Sequence, residues 1–233
     1  MSKTKSDNKV LAVRSIEPFK GLPSGLQDQI AQKAQIFSAP AGRVLAKQAE
    51  TLHSLVYVIE GELQTSWKLP DNKELVCSVI RPGQALGWLT VIDNQPVPHN
   101  IIALTAVTLL LIPLDMARQI VRSVPDVAEF VMRQMAETIR RLELQSRILG
   151  MPNAFQRVYV HLFHMVGSAG ELRLPKQNEI ASFVNTSRET VSRAVQLLVK
   201  HGVIRKDGRI IRVQKIELLK EAAEAGADAL EAA

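Results

Sequence analysis

The sequence predicts an α+β fold in three parts: an antiparallel β-roll of jelly-roll type, a long helix able to pair with a copy of itself, and a C-terminal winged helix-turn-helix. Three observations predict it. Residues 39–114 hold short β-branched segments separated by regular turn signals. Small and apolar residues then recur at heptad spacing, at Ala128, Met132, Met135, Ile139, Leu142, Ser146 and Leu149. Finally, two short helical segments joined by the turn "NTS" precede a hairpin containing Asp207-Gly208.

Bulk properties set the frame. At 233 residues and 46% hydrophobic content the chain is long enough for two cores. The single cysteine, Cys77, excludes an internal disulfide and a metal centre held by several cysteines, which fits a reducing cytoplasm. Cys77 lies in "ELVCSVI", a pattern expected to bury it as inert packing. The polar start "MSKTKSDNKV" has no secretory signal, and the most apolar run, residues 101–114, is too short to span a membrane. A cytoplasmic protein with no membrane partner is expected. Residues 151–215 carry eleven lysines and arginines against four acids, while the rest of the chain is near neutral, although the net charge is only +6. That local excess suits a polyanionic partner, double-stranded DNA above all.

In chain order, residues 1–20 read as a flexible N-terminal segment, with a short helix after it presenting Leu26, Ile30, Ala34 and Phe37. The roll occupies 21–124, punctuated by Gly61, Pro70–Asn72, Pro82-Gly83 and Asp93–Pro96. Pro125 and Asp126 open the heptad helix, 125–151, whose narrow a/d seam suits a homodimeric coiled coil. "GMPN" ends it, so Gly150, Pro152 and Asn153 are the expected hinge and domain boundary. The winged helix-turn-helix fills 152–215, and an Ala/Glu-rich, partly helical tail with no evident chemistry follows at 216–233.

Within the helix-turn-helix, Ile180 and Ala181 face inward on the first helix, and Val191, Val195 and Leu198 on the second. Arg188, Glu189 and Arg193 are left outward on the first turns of the second helix, where side chains can reach base edges in the major groove. Arginine forks pair with guanine O6 and N7, and a glutamate accepts from cytosine N4. Lys176, Asn178, Ser187, Thr190, Lys206 and Arg209 suit phosphates. Glu189 has a competing local role, since Thr186 and Glu189 form a capping-box pair, "TSRE".

"EIASFVNTSRETVSRAVQLLVKHGVI" resembles the DNA-binding segment of the cyclic AMP receptor protein/fumarate-nitrate regulator superfamily of bacterial transcription regulators, and "SRETVSR" is similar to its base-reading motif. "ETLHSLVYVIEGEL" and "VIRPGQALG" resemble its barrel, so the resemblance runs over about residues 20–215. It implies a sensor roll, a dimerising helix, a winged reader of TGTGA-like palindromes and contact with RNA polymerase.

The chain departs from that family at the nucleotide cassette. A Gly-Glu pair and an Arg-Ser/Thr pair are expected by resemblance; Gly87-Trp88 and "VPHN" stand here, with no arginine or lysine between Trp88 and Ala117. His99 is mostly neutral at pH 7. Cyclic AMP is therefore not the expected effector. Another small effector, such as a cyclic dinucleotide, would draw on Arg43, Arg81, Gly87, Trp88, His99 and Glu143. The sensor could equally bind no ligand, or answer to a protein or to redox state, with Trp88 as a core plug. An enzyme is not expected: the five histidines are scattered, with no metal-ligand spacing and no phosphate loop.

Overall fold

A computed structural model describes residues 2–68, 74–166, 170–226 and 230. The chain divides into two compact units, residues 1–136 and 137–233.

The first unit opens with helices α1 (Ser2–Ser15) and α2 (Ser24–Lys33). Strands β1 (Gln35–Ala39), β2 (Val44–Ala46), β3 (Ser54–Glu60), β4 (Leu63–Lys68), β5 (Glu74–Ile80) and β6 (Ala85–Leu86) follow. Helix α3 (Trp88–Asp93) leads to β7 (Asn100–Ala103), β8 (Val107–Pro113), α4 (Leu114–Ser123) and the long α5 (Pro125–Leu149), which continues into the second unit. The strands form two antiparallel four-stranded sheets, ordered β1-β8-β3-β6 and β2-β7-β4-β5. The roll is thus as expected; the turn expected at Pro70–Asn72 lies outside the described residues. The run 101–114 is mostly apolar because it supplies β7 and β8, and β8 is buried on both sides. Val107 and Leu109 point into the roll interior, while Leu110 and Ile112 join a second core roofed by α1, α2 and α4. At the β3–β4 corner Gly61 has φ +81°, and a Cβ there would meet the Ala106 carbonyl oxygen at 2.1 Å.

The N-terminal segment is not loose. Val13, Ile16 and Phe19 are buried, the Tyr57 hydroxyl donates to the Glu17 carbonyl at 3.0 Å, and Phe19 meets Tyr57 edge-on at 5.5 Å. The buried Gln27 amide donates to the Phe19 and Lys20 carbonyls at 2.9 and 3.0 Å. The three-residue spacing of Val10, Val13, Ile16 and Phe19 was the available sign, hidden behind the polar first nine residues.

The second unit holds the end of α5, then α6 (Ala154–Val166), β9 (Glu171–Arg173), α7 (Gln177–Phe183), α8 (Arg188–Lys200), the wing strands β10 (Ile204–Asp207) and β11 (Ile210–Val213), and α9 (Ile216–Ala225). Two expected boundaries move. The division falls inside α5 and not at Gly150–Asn153, because Leu144, Ile148 and Met151 pack into the same core as Val158, Leu162 and Val184. Pro152 does interrupt the helix, but a break in a helix is not a break in packing. The tail is likewise no appendage: Leu219, Ala222, Ala223 and Leu230 are buried in that core. Residues 227–229 and 231–233 of the tail lie outside the described residues.

His161 and His164 on α6 divide as packed and solvated. His161 stacks on Phe183 at 4.3 Å, its buried Nδ1 has no hydrogen-bond partner among the described residues, and burial, helped by His164, lowers its pKa to about 4. In the unfolded chain that imidazole takes up a proton near pH 6.5. Between those values the unfolded state binds more protons, so stability is full above about pH 6.5 and is lost as pH falls towards 4. From pH 7.5 to 5 wild type should lose about 1–2 kcal/mol more than His161→Gln, allowing for partial exposure, in urea titrations of both proteins.

Candidate nucleic-acid interface and effector pocket

The recognition surface is built from α7, a tight turn and α8. Ile180, Ala181 and Val184 pack against Val191, Ala194, Val195 and Leu198, all buried, and the small Ala181 lets the two helices approach. Ala194 lies in the buried stripe with Val191, Val195 and Leu198. Asn185 takes the left-handed conformation, φ +48°, and the Thr186 N–H donates to the Ala181 carbonyl at 2.9 Å. The N-cap of α8 is Ser187, not Thr186: its hydroxyl oxygen accepts from the Thr190 N–H at 3.1 Å and lies 3.0 Å from the Thr190 hydroxyl. The cap is thus a plain serine N-cap in place of the expected Thr186–Glu189 capping box.

Arg188, Glu189 and Arg193 are all exposed on the opening turns of α8. Neither arginine has a hydrogen-bond or ion-pair partner among the described residues. The Glu189 carboxyl is held below the usual carboxylate range, first by its own backbone N–H, then by the Ser187 hydroxyl, with Arg188 and Arg193 adding to the effect. A carboxylate so held is charged at neutral pH.

Among the expected phosphate contacts, Lys176 and Asn178 are exposed at the start of α7, Lys206 is exposed on β10, and Ser187 and Thr190 share the cap. Arg209 differs: its Nε and Nη2 donate to the Leu174 carbonyl at 3.3 and 3.1 Å, committing two donors to fixing the wing. The wing corner is Gly208-Arg209, not Asp207-Gly208, because Asp207 pairs with Ile210; Gly208 takes φ +56°. Strand β9, paired with β11, adds the Glu171–Arg212 ion pair at 2.8 Å.

The seam of α5 is open to solvent in the single chain: Met132 is 62% exposed, Ile139 56%, Leu142 54% and Leu149 45%. Ser146 is exposed too, and Ala128 and Met135 are half-buried. The helix meets its own chain through other residues, Val127 and Val131 in the first unit and Ile148 in the second. Among the described residues no helix is long and apolar enough to cross a membrane.

In the roll, Gly87 adopts φ +109° and N-caps α3. Trp88 fills the space beside it, edge-on to Tyr57 at 6.3 Å and to Phe130 at 6.4 Å. The missed residue is Arg118, one position beyond the stretch devoid of cations. Its Nε donates to the Val91 carbonyl at 3.1 Å and its Nη2 to the Thr90 carbonyl at 3.2 Å and Asn94 Oδ1 at 2.5 Å, so it closes the C-terminal end of α3. The pKa of His99 is lowered by burial and its Nδ1 is buried without a hydrogen-bond partner among the described residues, which leaves it neutral. Arg43 sits exposed in the β1–β2 turn, Arg81 faces Glu62 at 3.4 Å, and Glu143 is exposed in the other unit. Cys77 is exposed on β5, not buried, because its side of the strand is not roofed; partial desolvation still pushes its thiol pKa up.

Comparison with known proteins bears on both units. Residues 36–124 match the family described as cyclic nucleotide-binding domain, and residues 156–222 match the Crp-like helix-turn-helix domain. A CRP-like cAMP-activated global transcriptional regulator of Mycobacterium tuberculosis is 24% identical over 209 residues, 86% of this chain and 93% of that protein. FixK2 of Bradyrhizobium japonicum has a similar fold, with TM-score 0.62 and 22% identity over 81% of this chain and 96% of its own. So does the c-di-GMP responsive global regulator CLP of Xanthomonas campestris, with TM-score 0.57 and 17% identity over 82% of this chain and 99% of its own.

Proposed function

We propose, from the premise that this chain belongs to the cyclic AMP receptor protein/fumarate-nitrate regulator superfamily of transcription regulators, that it is a homodimer reading a TGTGA-like palindrome through Arg188, Glu189 and Arg193. One observation carries this reading: two exposed guanidiniums, without a hydrogen-bond or ion-pair partner among the described residues, stand with a charged carboxylate on the first turns of α8, within the basic part of the chain. Pairing along the α5 seam would present two such helices one turn of B-DNA, about 34 Å, apart. Lys176, Asn178, Ser187, Thr190, Lys206 and the remaining donors of Arg209 would set register on phosphates. The work of such a protein is done in the cytoplasm, against RNA polymerase.

The effector of the roll is not cyclic AMP. A buried cyclic phosphate needs a matching cation with fork geometry. No arginine or lysine stands between Trp88 and Ala117, Arg118 is spent on α3, and His99 is neutral. A second reading, an effector such as a cyclic dinucleotide, draws on the likeness to the c-di-GMP responsive regulator of Xanthomonas, with Arg43 and Arg81 of the roll as its candidate contacts. Mobility shifts of the ligand-free dimer on a TGTGA palindrome, repeated with cyclic AMP and with c-di-GMP, test both. Site-specific binding that cyclic AMP leaves within two-fold is expected. An increase of ten-fold or more with cyclic AMP would reject the account of the roll, and absence of any site preference would reject the account of α8.

A further inference from the structure

The connector Met151–Asn153 and the turn of the helix-turn-helix meet at one side chain. Arg157, on the first turn of α6, donates Nη1 to the Met151 carbonyl at 2.8 Å and to the Pro152 carbonyl at 3.3 Å. On its other side Nε donates to the Val184 carbonyl at 2.9 Å and Nη2 to the Asn185 carbonyl at 3.1 Å. All four acceptors are backbone carbonyls, and Arg157 is in no ion pair among the described residues. Val184 and Asn185 end α7, where unpaired carbonyls and the negative end of the helix dipole favour a cation. From α5, the Gln145 amide donates to the neighbouring Phe183 carbonyl at 3.2 Å.

We propose that Arg157 is a positioning residue for DNA reading: its guanidinium joins the connector Met151–Pro152 to the turn Val184–Asn185, so that the end of α5, the connector and α8 move as one body. The proposal rests on the DNA-reading function above. The turn sets where α8 begins, because Asn185 is the left-handed residue and Ser187, two positions on, is the cap. A turn freed from the connector would leave α8 packed through Val191, Val195 and Leu198 but no longer aimed. Only a planar fork with five donors spans four carbonyls on two segments; a lysine keeps the charge and cannot.

The test uses the full-length chain carrying Arg157→Lys, with Leu162→Ala as a control that perturbs the same helix from the core side. Amide exchange in Arg157→Lys should rise ten-fold or more at Met151 and at Thr186 together. The affinity ratio between a TGTGA palindrome and unrelated DNA should fall ten-fold or more, while affinity for unrelated DNA and its salt dependence stay within two-fold. Leu162→Ala should lower Tm yet keep the ratio. An unchanged ratio in Arg157→Lys, or faster exchange in one segment without the other, would overturn the proposal. Should wild type itself show no site preference, the DNA-reading function fails, and the exchange data still decide whether Arg157 couples the two segments.

Discussion

Arg188→Ala and Arg193→Ala are each expected to abolish discrimination between a TGTGA palindrome and unrelated DNA while sparing the fold. Both side chains are exposed and without a hydrogen-bond or ion-pair partner among the described residues, so removing either leaves no buried group unsatisfied and should change Tm little. A bidentate arginine–guanine contact contributes about 1–3 kcal/mol of discrimination. In a two-fold dimer each substitution enters twice, so a loss of about 2–6 kcal/mol follows, or roughly 30-fold to over 10⁴-fold in specific affinity. Affinity for unrelated DNA should fall far less, because it rests on phosphate contacts. Lys206→Ala is the contrasting case, lowering affinity for all sequences alike and making the salt dependence shallower. Titrations of each variant at two salt concentrations check this, and specific binding that survived both arginine substitutions would remove them from the reading surface.

Leu142→Glu is the second substitution with a large expected effect. Leu142 is 54% exposed in the single chain, and Ile139 and Leu149 beside it on the seam are similarly open. In a paired seam the leucine would lose solvent on both protomers, each burial contributing about 1.5–3 kcal/mol. Two glutamates facing each other there would add desolvated like charge. The variant should sediment as a monomer at micromolar concentration, and its affinity for the full palindrome should drop at least 100-fold. The helix itself should persist, since Val127, Val131 and Ile148 hold it to its own chain. Sedimentation and circular dichroism on one sample separate these outcomes; a variant that remained dimeric would place the interface elsewhere.

Much of this was legible from local pattern. The strand punctuation, the seam of α5 and the burial of Val191, Val195 and Leu198 each follow from a side-chain period, and a period survives without tertiary context. The outward position of Arg188, Glu189 and Arg193 follows from the same helical geometry. Where pattern misled, a local feature was given non-local meaning. Pro152 stops a helix and so suggests a domain boundary, although Ile148 and Val158 on either side of it share a core. Cys77 lies among β-branched neighbours, yet a strand has two sides, and which one is roofed is settled by elements far away in sequence.

What the sequence determined by itself is the order of elements, the charge of the C-terminal part and the chemistry displayed on α8. These depend on residues within a few positions of one another. Tertiary structure alone decided that Ser187 and not Thr186 caps α8, that Arg118 closes α3 beside Trp88, and that Arg157 gathers carbonyls from residues 151 and 152 and from 184 and 185. A guanidinium's partners are the backbone groups left unpaired where helices end, and which helix ends meet it depends on how distant segments pack.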